Sequence, residues 1–139
     1  MDARTRALQA LIRLRQTEVD QAKSALSEAM GKENAAIAHV ERQRALIESE
    51  RVKAASGQVS MDDFRVWLPS GKEAVQQAEH ALIAVRQVSD QAREALIQAN
   101  AAQKAAQAIM DRRLEEEKET LARREQAEID DLSRRNKMT

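Results

Sequence analysis

Two long stretches of the chain carry the hydrophobic spacing of an amphipathic helix. In the first, apolar side chains recur at intervals of three and four positions, which places them on one helical face. The members of this stripe are Val19, Ala22, Leu26, Ala29, Ala36, Val40 and Ile47, extended toward the N-terminus by Leu8 and by Leu11 or Ile12. Glu33 and Gln43 interrupt the stripe, as polar residues do in a coiled-coil seam. We predict one helix over residues 3–55.

The second stretch predicts a helix over residues 71–135. Its stripe consists of Val75, Ala78, Leu82, Val85, Ser89, Ala92, Leu96, Ala99, Gln103, Ala106 and Met110. The spacing then slips by one residue onto Leu114 and Leu121, and Ile129 and Leu132 extend the apolar face. A helical pattern of this length indicates a coiled coil or a helical repeat.

Between the two stretches, residues 56–70 predict a turn that contains a short helix. Ser56-Gly57 is a helix stop, because glycine accepts the left-handed conformation at a helix C-terminus. Ser60 and Asp63 have the spacing of a capping box, which predicts a helix over residues 61–68.

Pro69 predicts a break after this short helix, because the residue before a proline is disfavoured in the helical region. Ser70 and Glu73 form a second Ser-x-x-Glu box, which predicts that the long second helix starts at Gly71.

The predicted fold is all-α: one domain, residues 1–139, folded as a long two-helix antiparallel coiled-coil hairpin with a short helix and a proline-containing break at its tip. The short connection favours this fold, since neither long helix can bury its stripe alone. If the hairpin bends about residue 63, residue 3 lies near residue 123. Residues from about 124 onward then form a helix without an intramolecular partner. A closed hairpin predicts a monomer when the protein is free.

The composition narrows the function classes. The 23 basic and 23 acidic side chains cancel, which argues against nucleic acid as the main ligand. There is no cysteine, and no apolar run approaches the roughly 18 residues of a membrane span, so we expect a soluble cytoplasmic protein without membrane insertion. The sequence contains no catalytic constellation or phosphate-binding glycine loop, and His39 and His80 are isolated. We therefore expect no enzyme activity, metal or cofactor.

The only aromatic residues, Phe64 and Trp67, lie beside Leu68 and the single proline. Two interpretations stay open. The rings plug the end of the coiled coil, or they form a docking surface, since aromatic anchors dominate many interfaces.

The order of these features resembles the FliJ-type flagellar export proteins and their counterparts in type III secretion injectisomes. The resemblance covers most of the chain. It rests on "LRQTEVDQA" at residues 14–22, on Phe64 after the turn, and on "EEEKETLARREQAEIDDLSRR" at residues 115–135. Leu46 and Glu50 depart from the family pattern, which commonly has aromatic residues late in the first helix.

The resemblance implies a stalk and adaptor that is located in the cytoplasm and associates peripherally with the export apparatus at the inner membrane. Its implied partners are the hexameric export ATPase, the cytoplasmic domain of the membrane export gate and export chaperones. The implied gate-binding residues at the tip are Phe64, Trp67, Leu68 and Leu46. The implied ATPase-binding residues at the terminal end are Arg4, Arg6, Arg13, Arg15, Arg123, Arg124, Arg134 and Arg135.

Two other hypotheses remain from the residues alone. A structural or chaperone-like coiled coil could self-associate through its alanine-rich seam. The N-terminal arginines could instead bind a membrane surface or nucleic acid. The sequence does not distinguish a flagellar protein from an injectisome protein.

Overall fold

The computed structural model describes residues 2–138, and over this range the protein is all-α. Helix α1 spans Ala3–Ala55, and helix α2 spans Met61–Met138. The two helices pack against each other, and no strand occurs among the described residues. The predicted hairpin of two long helices is confirmed.

The helices contribute to two compact units. The terminal unit contains the residues up to Val19 together with those from Gln98 onward, and the central unit contains Asp20–Ile97. Each unit therefore has one segment of α1 and one segment of α2.

Cross-helix hydrogen bonds define the pairing in the terminal unit. Gln103 Nε2 donates to Gln16 Oε1 at 2.6 Å, and Arg113 Nε donates to Thr5 Oγ1 at 3.3 Å. Residue numbers fall along α1 as they rise along α2, so the two segments are antiparallel.

The central unit shows the same orientation. Arg44 pairs with Glu79 at 2.7 Å, and Arg86 pairs with Glu33 at 3.5 Å. Both pairs join a residue of α1 to a residue of α2, and their order again requires antiparallel helices.

Small residues fill much of the interface between the helices. The buried residues on α1 are Thr5, Val19, Ala29, Val40 and Ala54, and those on α2 are Phe64, Gly71, Ala78, Ser89, Ala106 and Met110. Their separations along each helix are combinations of the steps of three and four residues that a coiled-coil seam requires, and the seam positions between them are half-buried. Because alanine buries little apolar area, each layer contributes less than a leucine layer would.

The connection between the helices follows from Gly57. This glycine has a φ of 81°, which is strained for other residues. Gln58 N donates to Lys53 O at 3.0 Å and Gly57 N donates to Ala54 O at 3.3 Å, the hydrogen-bond pair of a Schellman motif. The predicted stop at Ser56-Gly57 is confirmed.

Ser60 caps the start of α2. Its carbonyl accepts the first helical hydrogen bond from Phe64 N at 3.0 Å, and its Oγ accepts from Asp63 N at 3.5 Å. The start that Ser60 and Asp63 predicted is therefore where α2 begins.

The predicted break at Pro69 requires correction. α2 is continuous from Met61 through Pro69 to Met138, so there is no separate helix over residues 61–68, and Ser70 and Glu73 do not start a new one. Sequence reasoning overlooked that the seam spacing of Val75 and Ala78 continues backward through Gly71, Leu68 and Phe64 without a change of phase.

Pro69 lies on the exposed face of α2, which explains why the helix tolerates it. A proline removes the hydrogen bond to the carbonyl four residues earlier, here Arg65, and its ring crowds that carbonyl. Arg65 is also exposed, so water can satisfy its carbonyl oxygen. The packed residues before and after the proline hold both helical segments in one phase.

The predicted register is also corrected. The chain reverses between Ala55 and Met61, earlier than the predicted bend about residue 63. As a result, the start of α1 lies beside Arg113 rather than near residue 123. The part of α2 without an α1 partner begins at Leu114 instead of about residue 124, and every described residue from Leu114 onward is exposed.

Candidate protein-binding surfaces

A polar cluster joins the beginning of α1 to α2 in the terminal unit. Asp2 precedes α1 and caps it, since its Oδ1 accepts a hydrogen bond from Thr5 N at 2.7 Å. Its Oδ2 accepts from Arg113 Nη2 at 2.6 Å. Arg113 Nε lies 3.5 Å from Glu117 Oε1, so one guanidinium contacts the cap, the first turn of α1 and the next turn of α2.

These contacts stabilise the ionised form of Asp2. The backbone N–H of Thr5 contributes most to lowering the pKa of the Asp2 carboxyl well below its usual range, followed by the Thr5 side chain and the Arg113 guanidinium. The Asp2 carboxyl is therefore ionised at neutral pH.

An open groove of about 870 Å³ runs beside this cluster. Ile12, Met110 and Leu114 provide its apolar side chains, and Gln9 and Arg13 are among its polar ones. Its size and open form suit part of a protein chain, such as a helix, that lies along the surface.

The segment of α2 from Leu114 to Met138 is named the extension. Four of its apolar side chains are about half exposed: Leu114, Leu121, Ile129 and Leu132. Their successive separations of seven, eight and three residues keep the four on one side of the helix. An exposed apolar stripe of this kind is a candidate surface for contact with another molecule.

The arginines predicted near the N-terminus occupy two different environments. Arg4, Arg6 and Arg13 are exposed, and Arg13 lines the groove. Arg15 instead occupies a half-buried seam position and pairs with Glu18 at 3.0 Å. Three of these four arginines are available to a partner, whereas Arg15 is engaged within α1.

The predicted arginines of the extension are all exposed. Arg123 pairs loosely with Glu119 at 3.7 Å, and Arg134 pairs with Asp131 at 3.8 Å. Within residues 2–138, Arg124 and Arg135 have no ion-pair partner. Exposed ion pairs at these distances contribute little to stability, so the arginines can leave them and pair with acidic groups of a partner.

A polar layer lies in the seam of the central unit. The Glu33 carboxylate is mostly buried and pairs with Arg86 at 3.5 Å and Arg93 at 3.9 Å. Ser89, between these arginines on α2, is completely buried, and its hydroxyl has no hydrogen-bond partner in the described structure. Such a layer favours one helix register over others.

The aromatic residues close the central unit beside the turn. Phe64 is only 9% exposed and belongs to the seam, so it acts as the predicted plug. Its ring centroid lies 6.2 Å from that of Trp67, with the rings tilted by 35°. A Cβ on Gly71 would approach Trp67 Cη2 to 2.7 Å, so the absence of a side chain at Gly71 makes room for the indole.

The other predicted tip residues remain at least partly accessible. Trp67 and Leu68 are half-buried, and Leu46 on α1 is exposed. Val66 is 82% exposed but lies on the face of α2 that points away from the seam. The structure thus brings Phe64 and Trp67 into contact and leaves Trp67, Leu68 and Leu46 partly open to solvent.

Neither a cluster of metal-ligating side chains nor a membrane span is found among the described residues. Residues 2–138 contain no group of three or more metal-ligating side chains, and His39 and His80 are both exposed. Neither described helix has a stretch that is long and apolar enough to span a bilayer.

Sequence reasoning missed two residues that organise these surfaces. Arg113 continues the seam spacing of Ala106 and Met110, and a cation at a seam position was the available signal. Gly71 also occupies a seam position, but only the structure reveals that Trp67 covers it.

Comparison with known proteins gives one informative result. The family described as "Flagellar FliJ protein" matches residues 4–138, which is nearly the whole chain. No curated protein and no solved structure matches the chain.

Proposed function

Because the chain belongs to the flagellar FliJ family, a non-catalytic component of flagellar protein export, we propose that it is the soluble stalk and adaptor of a flagellar-type export apparatus. It binds the hexameric export ATPase, promotes ring assembly and hydrolysis, and links the ATPase to the membrane export gate. The observation that carries this proposal is the family match over residues 4–138.

The terminal unit offers the surface for the ATPase. The extension has an apolar stripe that α1 does not cover, while its exposed arginines flank that stripe. A helix with both features can bury its leucines in a partner and pair its arginines with acidic groups. We assign ATPase binding to Leu121, Leu132 and the exposed arginines among those predicted. Arg15 is the weakest of the predicted arginines, because it is half-buried and pairs with Glu18 within α1.

The N-terminal arginines extend this surface onto α1. Arg4 and Arg6 lie in the first turns of α1, which the Asp2–Arg113 contact holds against α2. Arg13 borders the groove that includes Leu114, the first residue of the extension. One partner surface could therefore contact both helices.

The central unit offers the surface for the export gate. Leu46, Trp67 and Leu68 are the accessible apolar residues among those predicted for the tip. Phe64 supports them from the buried side through its ring contact with Trp67. We assign gate binding to the first three and a supporting role to Phe64.

Family membership also supports a proposal for the remaining partners and the location. We propose that export chaperones bind the protein, and that it is cytoplasmic and associates peripherally with the apparatus at the inner membrane. Nucleic acid is not among its partners, in keeping with the balanced charge.

The direct test combines the chain with its cognate export ATPase and measures hydrolysis and ring formation. We expect both to increase. Leu121→Ala with Leu132→Ala should weaken ATPase binding at least about tenfold, because each leucine loses burial in the partner. The matched control is Ile97→Ala with Ile109→Ala, which removes exposed apolar side chains elsewhere on α2.

Two outcomes would contradict these assignments. A folded chain that alters neither hydrolysis nor ring formation would refute the ATPase role. Equal losses from the two double variants would show that the stripe is not the binding surface.

A second test addresses the gate. Leu46→Ala with Trp67→Ala should weaken binding to the cytoplasmic gate domain about tenfold, the effect of losing an aromatic anchor. The control, Val52→Ala with Val66→Ala, removes exposed apolar side chains near the same turn. Gate affinity that is unchanged by the first pair, with helix content preserved, would remove this role from the turn.

No observation favours the alternative of self-association through the alanine-rich seam. The seam residues of α1 are covered by α2 of the same chain, and the reverse also holds. Self-association through them would require these helices to separate.

A further inference from the structure

We propose that Arg113 is a positioning residue for the ATPase-binding surface: it locks the start of α1 onto α2 where the extension begins. The positioning of α1 is a property of this chain alone, whereas the consequence for ATPase binding rests on the proposed function.

The geometry places Arg113 at a junction of three segments. Its Nη2 is 2.6 Å from Asp2 Oδ2, its Nε is 3.3 Å from Thr5 Oγ1, and the same Nε is 3.5 Å from Glu117 Oε1. The side chain is only 23% exposed, which is low for an arginine beside the end of a helix pair.

Arg113 is also the last seam residue of α2. Thr5, its neighbour on α1, is buried, whereas every described residue of α2 from Leu114 onward is exposed. No later seam layer is available to hold the first turns of α1. Because the ends of helices fray readily, the contacts of Arg113 decide whether these turns stay on α2.

Loss of these contacts would change the form of the ATPase-binding surface. Arg4 and Arg6 would move with the freed turns of α1, while the extension would remain part of α2. Binding would then require α1 to be ordered again, and ordering of this kind lowers affinity.

The three contacts require a guanidinium. Its planar fork can donate to a carboxylate and a hydroxyl in fixed directions, whereas a lysine ammonium is a single point of charge. Arg112, the adjacent residue, is exposed and has no ion-pair partner in the part of the chain that the structure describes. It provides a control of the same residue type, one position away.

The first experiment measures position directly in the full-length chain. Ala7→Cys and Lys118→Cys provide attachment sites for two spin labels. Because the sequence has no cysteine, no other residue has to be replaced. We expect a narrow distance distribution between the labels in the parent chain and in Arg112→Ala. We expect a broad distribution in Arg113→Ala and an intermediate one in Arg113→Lys.

Asp2→Asn separates the two functions of Asp2. Asparagine remains a good cap but lacks the charge that attracts Arg113. This variant should also broaden the distribution. An unchanged distribution in Arg113→Ala would overturn the proposal, whether or not the chain binds an ATPase.

The second experiment measures affinity for the export ATPase. Arg113→Ala should weaken binding about fivefold, the scale expected when one or two side chains must be ordered on binding. Arg42→Ala, which removes an exposed arginine from the central unit, should leave the affinity unchanged.

The outcomes separate the two hypotheses. A broadened distribution with unchanged affinity would overturn the positioning role and leave Arg113 a structural residue. Failure of the parent chain to bind the ATPase would refute the proposed function, while the label distances would still test the contact between Arg113 and α1.

Discussion

The two parts of α2 differ in what their seam positions contain. Up to Arg113, the positions spaced by three and four residues are buried or half-buried, and most are small or apolar. Beyond it, the same spacing falls on Glu117, Thr120, Arg124, Ala127 and Asp131, none of which is a large apolar residue. The apolar side chains of the extension lie on a neighbouring face. The apolar residues of α2 thus change phase at the same level at which its pairing with the start of α1 ends.

The two parts also differ in how the helix is stabilised. The paired part gains from packing against α1. The extension relies on helix propensity and on local contacts such as Arg123–Glu119 and the hydrogen bond from Gln126 Nε2 to Asp130 Oδ1 at 3.1 Å. Local contacts of this type are worth only a few tenths of a kcal/mol each, about 0.2–0.5. A partner that covers the extension would therefore stabilise it substantially.

The same substitution in the two parts gives the largest expected contrast. Ala106 is 3% exposed, and Ala127 occupies the equivalent seam position three heptads later but is exposed. Ala106→Asp would bury an unpaired charge and should lower the free energy of unfolding by about 3–5 kcal/mol. Ala127→Asp should cost only about 0.5 kcal/mol, through helix propensity.

Denaturant unfolding followed by circular dichroism measures both variants. Ala106→Ser is a control that adds a polar group without a charge. It should lower the free energy of unfolding much less than Ala106→Asp does. Similar losses from the aspartates at positions 106 and 127 would contradict the boundary at Arg113.

Much of the fold could be predicted because the seam residues are recognisable in the sequence from the spacing of apolar side chains. The spacing from Val19 to Ile47 and from Val75 to Met110 identified both helices and the face that each buries. Gly57 identified the turn, because glycine is the residue that most readily adopts the left-handed conformation found there.

The parts that could not be predicted are those where local backbone preference competes with packing between the helices. Pro69 disfavours a helix locally, but the packed residues around it keep α2 continuous. The register required the position of the reversal to within a few residues, and assuming a break at Pro69 moved that position too far along the chain. The slip in phase at Leu114 was the better guide to where pairing ends.

The binding residues were predictable only as candidates. Their residue types suggested docking, but exposure depends on register, and register placed Phe64 and Arg15 in the seam. The junction at Arg113 depended on the same register. Side-chain contacts between residues more than a hundred positions apart cannot be read from local spacing.

Pro69→Ala tests how far packing in the paired part overrides local preference. Alanine restores the hydrogen bond to the Arg65 carbonyl and removes the ring, so the free energy of unfolding should rise by about 2 kcal/mol. Thermal and denaturant unfolding measure this change. If Pro69 ended a short helix, as the sequence predicted, alanine would be neutral or destabilising, because the proline would then restrict the unfolded chain at no native cost.

Ser89→Ala sharpens the description of the seam. Its buried hydroxyl has no partner among the described residues, so removing it should raise the free energy of unfolding by about 1 kcal/mol. Part of any gain would reflect the higher helix propensity of alanine. Ser24→Ala, at an exposed position of α1, measures that part alone. A loss of stability in Ser89→Ala, relative to this control, would indicate that the hydroxyl has a favourable interaction.

The smallest expected effect lies at the boundary between the two parts and depends on pH. The folded protein lowers the pKa of Asp2 below its ordinary value of 3.8, so the ionised carboxylate stabilises the start of α1. This contribution is complete above the pKa of the unfolded chain and decreases as the pH falls toward the lower folded pKa. The difference in stability between the parent chain and Asp2→Asn should therefore be constant near neutral pH and shrink below about pH 4. Measuring the difference matters, because Arg51 also lowers the pKa of Glu48, and that group affects both proteins equally. A difference that grows on acidification would mean that the carboxylate does not stabilise the folded state through Thr5 and Arg113.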